Sequence, residues 1–352
     1  MIASTPLHSS VREYYGRILR NTTCLKTDAC CSADGLPAHI KAIVGQLAPE
    51  IVERFYGCGS PIPPAIEGHT VLDLGCGTGR DAFICAKLVG PRGRVIGLDM
   101  TAEQLSVAQA NEESQAAAFG FATPNTRFVQ GYMESLQDVG IEDESVDVVI
   151  SNCVLNLSPD KERVFSEIFR VLKPGGELFF SDIFADRRLS KDWREDQVLL
   201  GECLAGAMYV EDFRRLLLSM GVPDYRVVAR RPVAIDNEDV QAKIGMARFE
   251  SMTIRAFKIA SLEDKCEDFG QVATYLGTIA HCPHSFVLDD HHEFITGKPM
   301  LVCGNTAAML AETRFSAHFR VQGDRSHHFG LFPCGPAESG AAGSASIAGG
   351  CC

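Results

Sequence analysis

The chain has 352 residues, 46% of them hydrophobic and 22% charged, a composition ordinary for a globular protein and long enough for two domains with real cores. No apolar run approaches the roughly 18 residues that span a bilayer, and residues 1–17 lack the apolar stretch of a secretory signal, so the expectation is a cytoplasmic protein with no membrane partner. A net charge of −12 excludes a nucleic-acid backbone as partner, because binding phosphates takes clustered Lys and Arg. The 14 cysteines stand out. In a reducing compartment they are free thiols, serving either as small buried hydrophobes or as reactive groups.

Residues 1–65 read as an N-terminal cap. It has a helical start at Val11–Leu19, the vicinal pair Cys30-Cys31, an amphipathic stretch from Pro37 to Phe55, then Tyr56-Gly57-Cys58-Gly59 and a Pro-rich turn ending at Pro64. From Thr70 onward, short apolar runs (Val71–Leu74, Arg94–Met100, Thr126–Tyr132, Val146–Asn152, Gly176–Ile183) alternate with helical patterns (Arg80–Val89, Thr101–Phe119, Lys161–Leu172). Continuous apolar strands alternating with helices mean a parallel sheet covered on both faces. The predicted fold over residues 66–233 is therefore α/β and doubly wound, with its ligands at the carboxyl ends of the strands.

Residues 234–335 read as a smaller α+β domain. A basic helical stretch, Lys243–Ile259, precedes strand-like runs at Val272–Ile279, Phe286–Ile295 and Met300–Gly304 and a short helix at Ala307–Phe315. The segment 336–352 is rich in Gly, Ala and Ser and ends in Cys351-Cys352; it buries too little apolar surface to order itself.

The sharpest motif is Val71-Leu72-Asp73-Leu74-Gly75-Cys76-Gly77-Thr78-Gly79, a strand entering a glycine-rich turn and then a helix. Glycines let the backbone approach a ligand closely, so this turn suits a nucleotide-like molecule. Asp99, at the tip of the next strand, is placed to accept hydrogen bonds from both ribose hydroxyls. Beside it stands Met100. The third strand leads to Met133 and Glu134, an apolar wall and an acceptor for an adenine, and the fourth ends in Asn152-Cys153. The glycine spacing is GxGxG after an acidic residue and not the GxGxxG of dinucleotide binding. By resemblance this separates class I S-adenosylmethionine-dependent methyltransferases, with their Rossmann-like sheet, from dehydrogenases. Leu172-Lys173-Pro174-Gly175-Gly176 resembles the turn before the fifth strand of that class. Tyr14, with Tyr15, is a candidate for cation–π attraction to the sulfonium.

A narrower resemblance follows from Val11–Leu19, Tyr56-Gly57-Cys58-Gly59, the glycine-rich turn through Asp81, Ser151–Leu157 and Gly201–Ala207, with its Cys203. From about Val11 to about Arg320 the chain is similar to the arsenite methyltransferases. The resemblance implies that Cys58, Cys153 and Cys203 bind arsenic and that Cys30 takes part in a redox cycle, pairing with Cys58, with thioredoxin or glutathione as the thiol reductant restoring them. Trivalent arsenic is soft, pyramidal and thiophilic, so three thiolates suit it. The implied substrate is arsenite or its glutathione conjugate, the products mono- and dimethylated arsenicals, and the acting species a monomer. Ala247 stands where the resemblance places a further cysteine, so any disulfide there is absent.

Three competing readings stay open at this point. One is a methyltransferase acting on a carbon acceptor such as a quinone or sterol; the second is a non-catalytic metalloid-binding protein; the third, disfavoured by the glycine spacing, is a dehydrogenase. The segment from His281 to His292, with Asp289 and Asp290, looks like a metal site but is taken as a solvated loop between strands. Cys351-Cys352 is either a tether that captures arsenic or an inert tail; no polybasic stretch precedes it to support prenylation.

Overall fold

The computed structural model describes residues 5–13, 36–53, 57–201 and 203–334. Tyr14, Tyr15, Cys30, Cys31, Glu202 and Cys351-Cys352 lie outside the described residues. The cap contributes α1 (Pro6–Glu13), α2 (Ala38–Val44) and α3 (Pro49–Val52). There follow β1 (Thr70–Leu74), α4 (Arg80–Val89), β2 (Arg94–Asp99), α5 (Ala102–Ala110), α6 (Glu112–Phe119), β3 (Thr126–Gln130), β4 (Val146–Asn152), α7 (Lys161–Val171) and β5 (Leu172–Ala185). Then come α8 (Gln197–Gly201), β6 (Met208–Tyr209), α9 (Val210–Ser219), β7 (Tyr225–Pro232), α10 (Glu238–Ile244) and β8 (Phe249–Phe257).

The main sheet runs β3-β2-β1-β4-β5-β8-β7, parallel through β5 and antiparallel beyond it, with β6 paired to the far end of β5. Chain order reverses between β1 and β4, which opens the crevice where such sheets bind ligands. Helices cover both faces, which is why β1 and β4 carry apolar residues toward both sides and do not alternate strictly with polar ones. On one face α7 turns Val164, Phe165, Ile168 and Phe169 onto Leu178, Phe180 and Phe213, a helical spacing of apolar residues with Asp160 capping the first turn through the Arg163 amide. On the other face Phe83 and Ile84 of α4 meet Ile40 and Ile43 of α2, so the cap packs on the helix that covers the sheet.

The basic stretch expected to be helical, Lys243–Ile259, is helical only to Ile244; Phe249–Phe257 is a strand hydrogen-bonded between β5 and β7. Gly245 ends the helix, and the β-branched and aromatic residues that follow are buried on both faces, which favours extended chain. The domain boundary expected at residue 234 therefore falls inside the sheet, and the change of fold comes after Phe257. The helix expected over Thr101–Phe119 is also two helices, α5 and α6, broken at Asn111.

Beyond the sheet lie β9 (Gln271–Tyr275), β10 (Ser285–Val287), β11 (Glu293–Ile295), β12 (Pro299–Val302), α11 (Gly304–Ala311) and β13 (Phe319–Gln322). They form a three-stranded sheet, β12-β9-β13, and a β10-β11 hairpin around Tyr275, Phe286, Phe294, Phe315 and Phe319. The run Phe286–Ile295, expected as one strand, is this hairpin, with the Asp-Asp-His-His stretch at its turn. Buried ions tie this unit to the main sheet: Glu177 of β5 pairs with Arg255 of β8 at 2.8 Å and with Arg314. Among the described residues no helix is long and apolar enough to cross a membrane.

Candidate active site

A cavity of about 1000 Å3, its open mouth included, lies at the carboxyl ends of β1, β2 and β4. Asp73, Gly75, Gly77, Asp99, Met100, Met133, Glu134, Asn152 and Cys153 all line it. Of the positions expected to bind cofactor, only Tyr14 lies outside the described residues.

The glycine turn is fastened to β2, because the Gly75 and Cys76 amides both donate to the Leu98 carbonyl, at 2.7 and 3.0 Å. Gly75 has a φ of +72°, and a Cβ there would come within 2.4 Å of the Val154 side chain, so no other residue fits. Gly77, at φ +53°, has open space where a side chain would begin, so its backbone borders the cavity unobstructed. Asp99 accepts from the Gly77 and Thr101 amides at 2.9 and 2.8 Å and so organises the turn as well as facing the cavity.

Asp73 is the most telling group. It is buried, and its Oδ2 has no hydrogen-bond partner among the described residues. Burial, with the neighbouring Asp81 and Asp99 carboxylates adding to it, pushes its pKa well above the ordinary carboxylate range. A buried acceptor without a donor calls for a cationic hydrogen-bond donor, which the amino group of S-adenosylmethionine supplies; the residues present fit that cofactor. Glu134 already accepts from Ser158 Oγ at 2.5 Å and meets His8 Nε2 at 3.2 Å. His8 in turn lies 4.6 Å, ring to ring, from Tyr132. Neither His8 nor Ser158 carries a sequence signal, since only the fold brings them to Glu134.

The three cysteines assigned to arsenic come from three elements. Cys58 lies in the cap after α3, Cys153 directly follows β4 and Cys203 follows α8. The structure holds Cys58 and Cys153 in a disulfide, with Cα atoms 5.7 Å apart, and Cys203 Sγ donates to the Cys153 carbonyl at 3.3 Å. The pairing of Cys58 with Cys30, implied by the resemblance, is thus not the one present; β4 delivers Cys153 to Cys58 directly. Cys153 and Cys203 have φ values of +57° and +61°, a region that costs a residue with a side chain about 1–2 kcal/mol. Strain of this kind persists where surrounding structure imposes it, and it clusters at functional sites.

Asn152 lines the cavity and also holds the loop beside it. Its Oδ1 accepts from the Cys58 and Gly59 amides at 3.0 and 3.2 Å, and its Nδ2 donates to the Gly59 carbonyl and to Asp81 Oδ2 at 3.0 and 2.8 Å. The side chain clamps the Cys58 loop against β4. Ser251 of β8 completes the clamp by donating to the Cys58 carbonyl at 2.9 Å, a contact hidden from sequence by the misread strand. Asp182 of β5 offers an oxygen within 4.8 Å of the Cys58 and Cys153 sulfurs. Burial pushes its pKa up to about 7, against hydrogen bonds from the Ile183 and Asn156 amides and the charge of Lys161. Lys161, half-buried and losing hydration there, is pushed down to about 8. Below neutrality Asp182 therefore adds no charge beside the sulfurs.

The loop from His281 to His292 holds itself. Asp289 accepts from His292 Nδ1 at 2.8 Å and pairs with Arg226 at 3.3 Å, Asp290 pairs with His291, and His281 stacks on His39 of α2 at 4.3 Å.

Residues 66–221 match a family described as a methyltransferase domain, and residues 269–352 one described as the arsenite methyltransferase C-terminal domain. An arsenite methyltransferase of Aquipseudomonas alcaligenes is 51% identical over 94% of this chain and 95% of its own length. The rat arsenite methyltransferase is 39% identical over 89% of this chain and 84% of its own. The solved structure of an arsenic(III) S-adenosylmethionine methyltransferase from Chlamydomonas reinhardtii, 50% identical, superposes with a TM-score of 0.82 over 85% of this chain and all of that one. The fold, the fit of the cavity to S-adenosylmethionine and these relatives lead to one conclusion: the chain belongs to the arsenite methyltransferase family.

Proposed function

We propose that this chain methylates trivalent arsenic held by the thiolates of Cys58, Cys153 and Cys203, giving mono- and dimethylated arsenicals. The observation that carries the reading is the convergence of those three residues at the edge of the cavity, with Cys153 lining it. A carbon-acceptor methyltransferase has no use for two strained cysteines there.

S-adenosylmethionine supplies the electrophilic methyl group. Asp73 takes up its amino group, Asp99 its ribose, and Met100, Met133 and Glu134 the adenine region. The cysteines fix arsenic at the carboxyl end of β4 with its lone pair toward the cavity, so the enzyme contributes proximity and orientation and little acid–base chemistry. Thiolate ligation keeps electron density on arsenic. Accepting a methyl cation raises arsenic formally from the trivalent to the pentavalent state, and two protein thiols joining as a disulfide return the two electrons. The Cys58–Cys153 pair shows that thiols at this site reach one another, and in that state the site lacks two arsenic ligands. Thiol–disulfide exchange with the dithiol of thioredoxin, or with two molecules of glutathione, regenerates them. Cys30 is assigned to the same cycle. The chain is assigned to the cytoplasm as a monomer that takes arsenite or its glutathione conjugate.

The test is methyl transfer from labelled S-adenosylmethionine to arsenite with glutathione and thioredoxin present, products separated by species. Cys153→Ser and Cys203→Ser are expected to abolish all methylation, while Cys30→Ser and Cys58→Ser spare methylation of a monomethylated trivalent substrate. No product from a chain that binds the cofactor overturns the reading; loss of both steps in Cys30→Ser overturns the division of labour.

A further inference from the structure

Outside the catalytic site the chain holds a second group of cysteines. Cys266 precedes β9, Cys303 precedes α11, and Cys334 is the last described residue; their sulfurs all lie within 4.8 Å of one another. Cys266 and Cys303 are buried and Cys334 is half-buried. Burial alone does not account for them, because none of the three packs into the aromatic core of this domain. Their surroundings are polar. Cys303 Sγ accepts from the Thr306 amide at 3.4 Å, capping α11, and lies 3.3 Å from Thr306 Oγ1 and 3.8 Å from the buried Arg226 guanidinium. Main-chain bonds fasten the other two segments around it: Phe332 donates to the Cys266 carbonyl at 2.7 Å, and Gly304 to the Glu267 carbonyl at 2.9 Å.

We propose that Cys266, Cys303 and Cys334 form a second, non-catalytic site that binds trivalent arsenic as a trithiolate. The ligand count separates this ion from its rivals. Structural zinc takes four ligands, and no fourth Cys, His, Asp or Glu joins this cluster among the described residues. Trivalent arsenic is satisfied by three sulfurs in a pyramid. Binding needs no redox partner. Arsenous acid exchanges three oxygens for three sulfurs: three As–S bonds form, three As–O bonds break, and each leaving hydroxide departs as water with one thiol proton. The bound ion would tie the loop before β9, the start of α11 and the end of the described chain together. The choice of ligand rests on the proposed function; the three-sulfur geometry does not.

The test uses the full chain reduced with a phosphine, incubated with inorganic arsenite and freed of excess, with bound arsenic counted by mass spectrometry and its sulfur neighbours by X-ray absorption. In a Cys58→Ser/Cys153→Ser/Cys203→Ser background, one equivalent of arsenic with three sulfur neighbours is expected to remain. Adding Cys303→Ser or Cys334→Ser is expected to remove it, and adding Cys351→Ser/Cys352→Ser is not. Because Cys334 is half-buried, the single Cys334→Ser variant serves as the folding control: it should methylate within about twofold of the unaltered chain while losing one equivalent of arsenic. Arsenic that survives both Cys303→Ser and Cys334→Ser, arsenic that follows Cys351 and Cys352, or stoichiometric zinc that arsenite cannot displace overturns the proposal. A chain that methylates arsenite yet lacks this equivalent sinks the second site alone; one that holds it without turnover sinks the proposed function alone.

Discussion

Asn152 shows how one side chain can serve a different end from the one its position suggests. Standing after β4 at the cavity, it reads as a cofactor contact, yet all four of its hydrogen bonds hold the Cys58 loop and Asp81. Removing such a supporting group typically costs about 10- to 100-fold at the ligands it orients. Asn152→Ala should therefore lower arsenite turnover by that order while cofactor affinity, read by calorimetry, shifts little; a large loss of cofactor affinity would restore the original assignment. The glycine turn offers a second comparison. Gly75→Ala meets both a positive φ and Val154, and should abolish cofactor binding and lower the melting temperature. Gly77→Ala meets only the φ penalty, about 1–2 kcal/mol, and should be the milder change in a thermal melt.

Between elements, the β10-β11 hairpin is held to β7 by ions more than by strand pairing. Arg226 bridges Asp224 at 2.7 Å and Asp289 at 3.3 Å, all three buried. Burial by itself would raise the Asp289 pKa, but the His292 hydrogen bond and charge, with Arg226, outweigh it and hold it down to about 2. A depressed carboxylate stabilises the fold above its unfolded pKa and loses that contribution as pH falls through the folded value. At about 1.4 kcal/mol per pKa unit, Asp289 contributes roughly 2 kcal/mol that fades between about pH 4 and pH 2. The difference in urea unfolding free energy between the unaltered chain and Asp289→Asn should be constant near neutrality and shrink across that window. A difference that does not change with pH would remove the ion pair as its cause.

At the scale of the whole molecule, the C-terminal unit and the catalytic domain share a buried junction. Glu177, from the main sheet, lies between Arg255 and Arg314, and the Arg255 guanidinium also donates to the Leu288 carbonyl at 2.8 Å and faces Phe179 at 5.1 Å. Breaking a buried pair by removing one partner costs about 3–5 kcal/mol, because the remaining charges stay desolvated. Glu177→Gln should lose that much stability in urea and expose both units together, whereas two separate unfolding transitions would show the junction to be weak. The same continuity predicts that a chain ending at Val233 is insoluble, since it lacks β8 and leaves the edge of β5 unpaired.

Much of this was legible in one dimension because it is local. The parallel core announces itself in unbroken apolar strands, the cofactor turn in Gly75 and Gly77, whose spacing reflects close backbone approach, and the ligand-facing residues in their places at strand tips. The cysteines were individually visible through the family resemblance. What the sequence could not carry is contact between residues far apart in the chain. β8 was misread because it continues without a clear break from the helical residues before Gly245, while its burial between β5 and β7 made it a strand. Cys58 was matched with Cys153 where the loop after α3 meets the end of β4, and His8 with Glu134 where α1 meets the loop after β3. The grouping of Cys266, Cys303 and Cys334 is likewise tertiary. Periodicity and turn chemistry are set by neighbours along the chain; which distant thiols meet is set only when the layers close on one another.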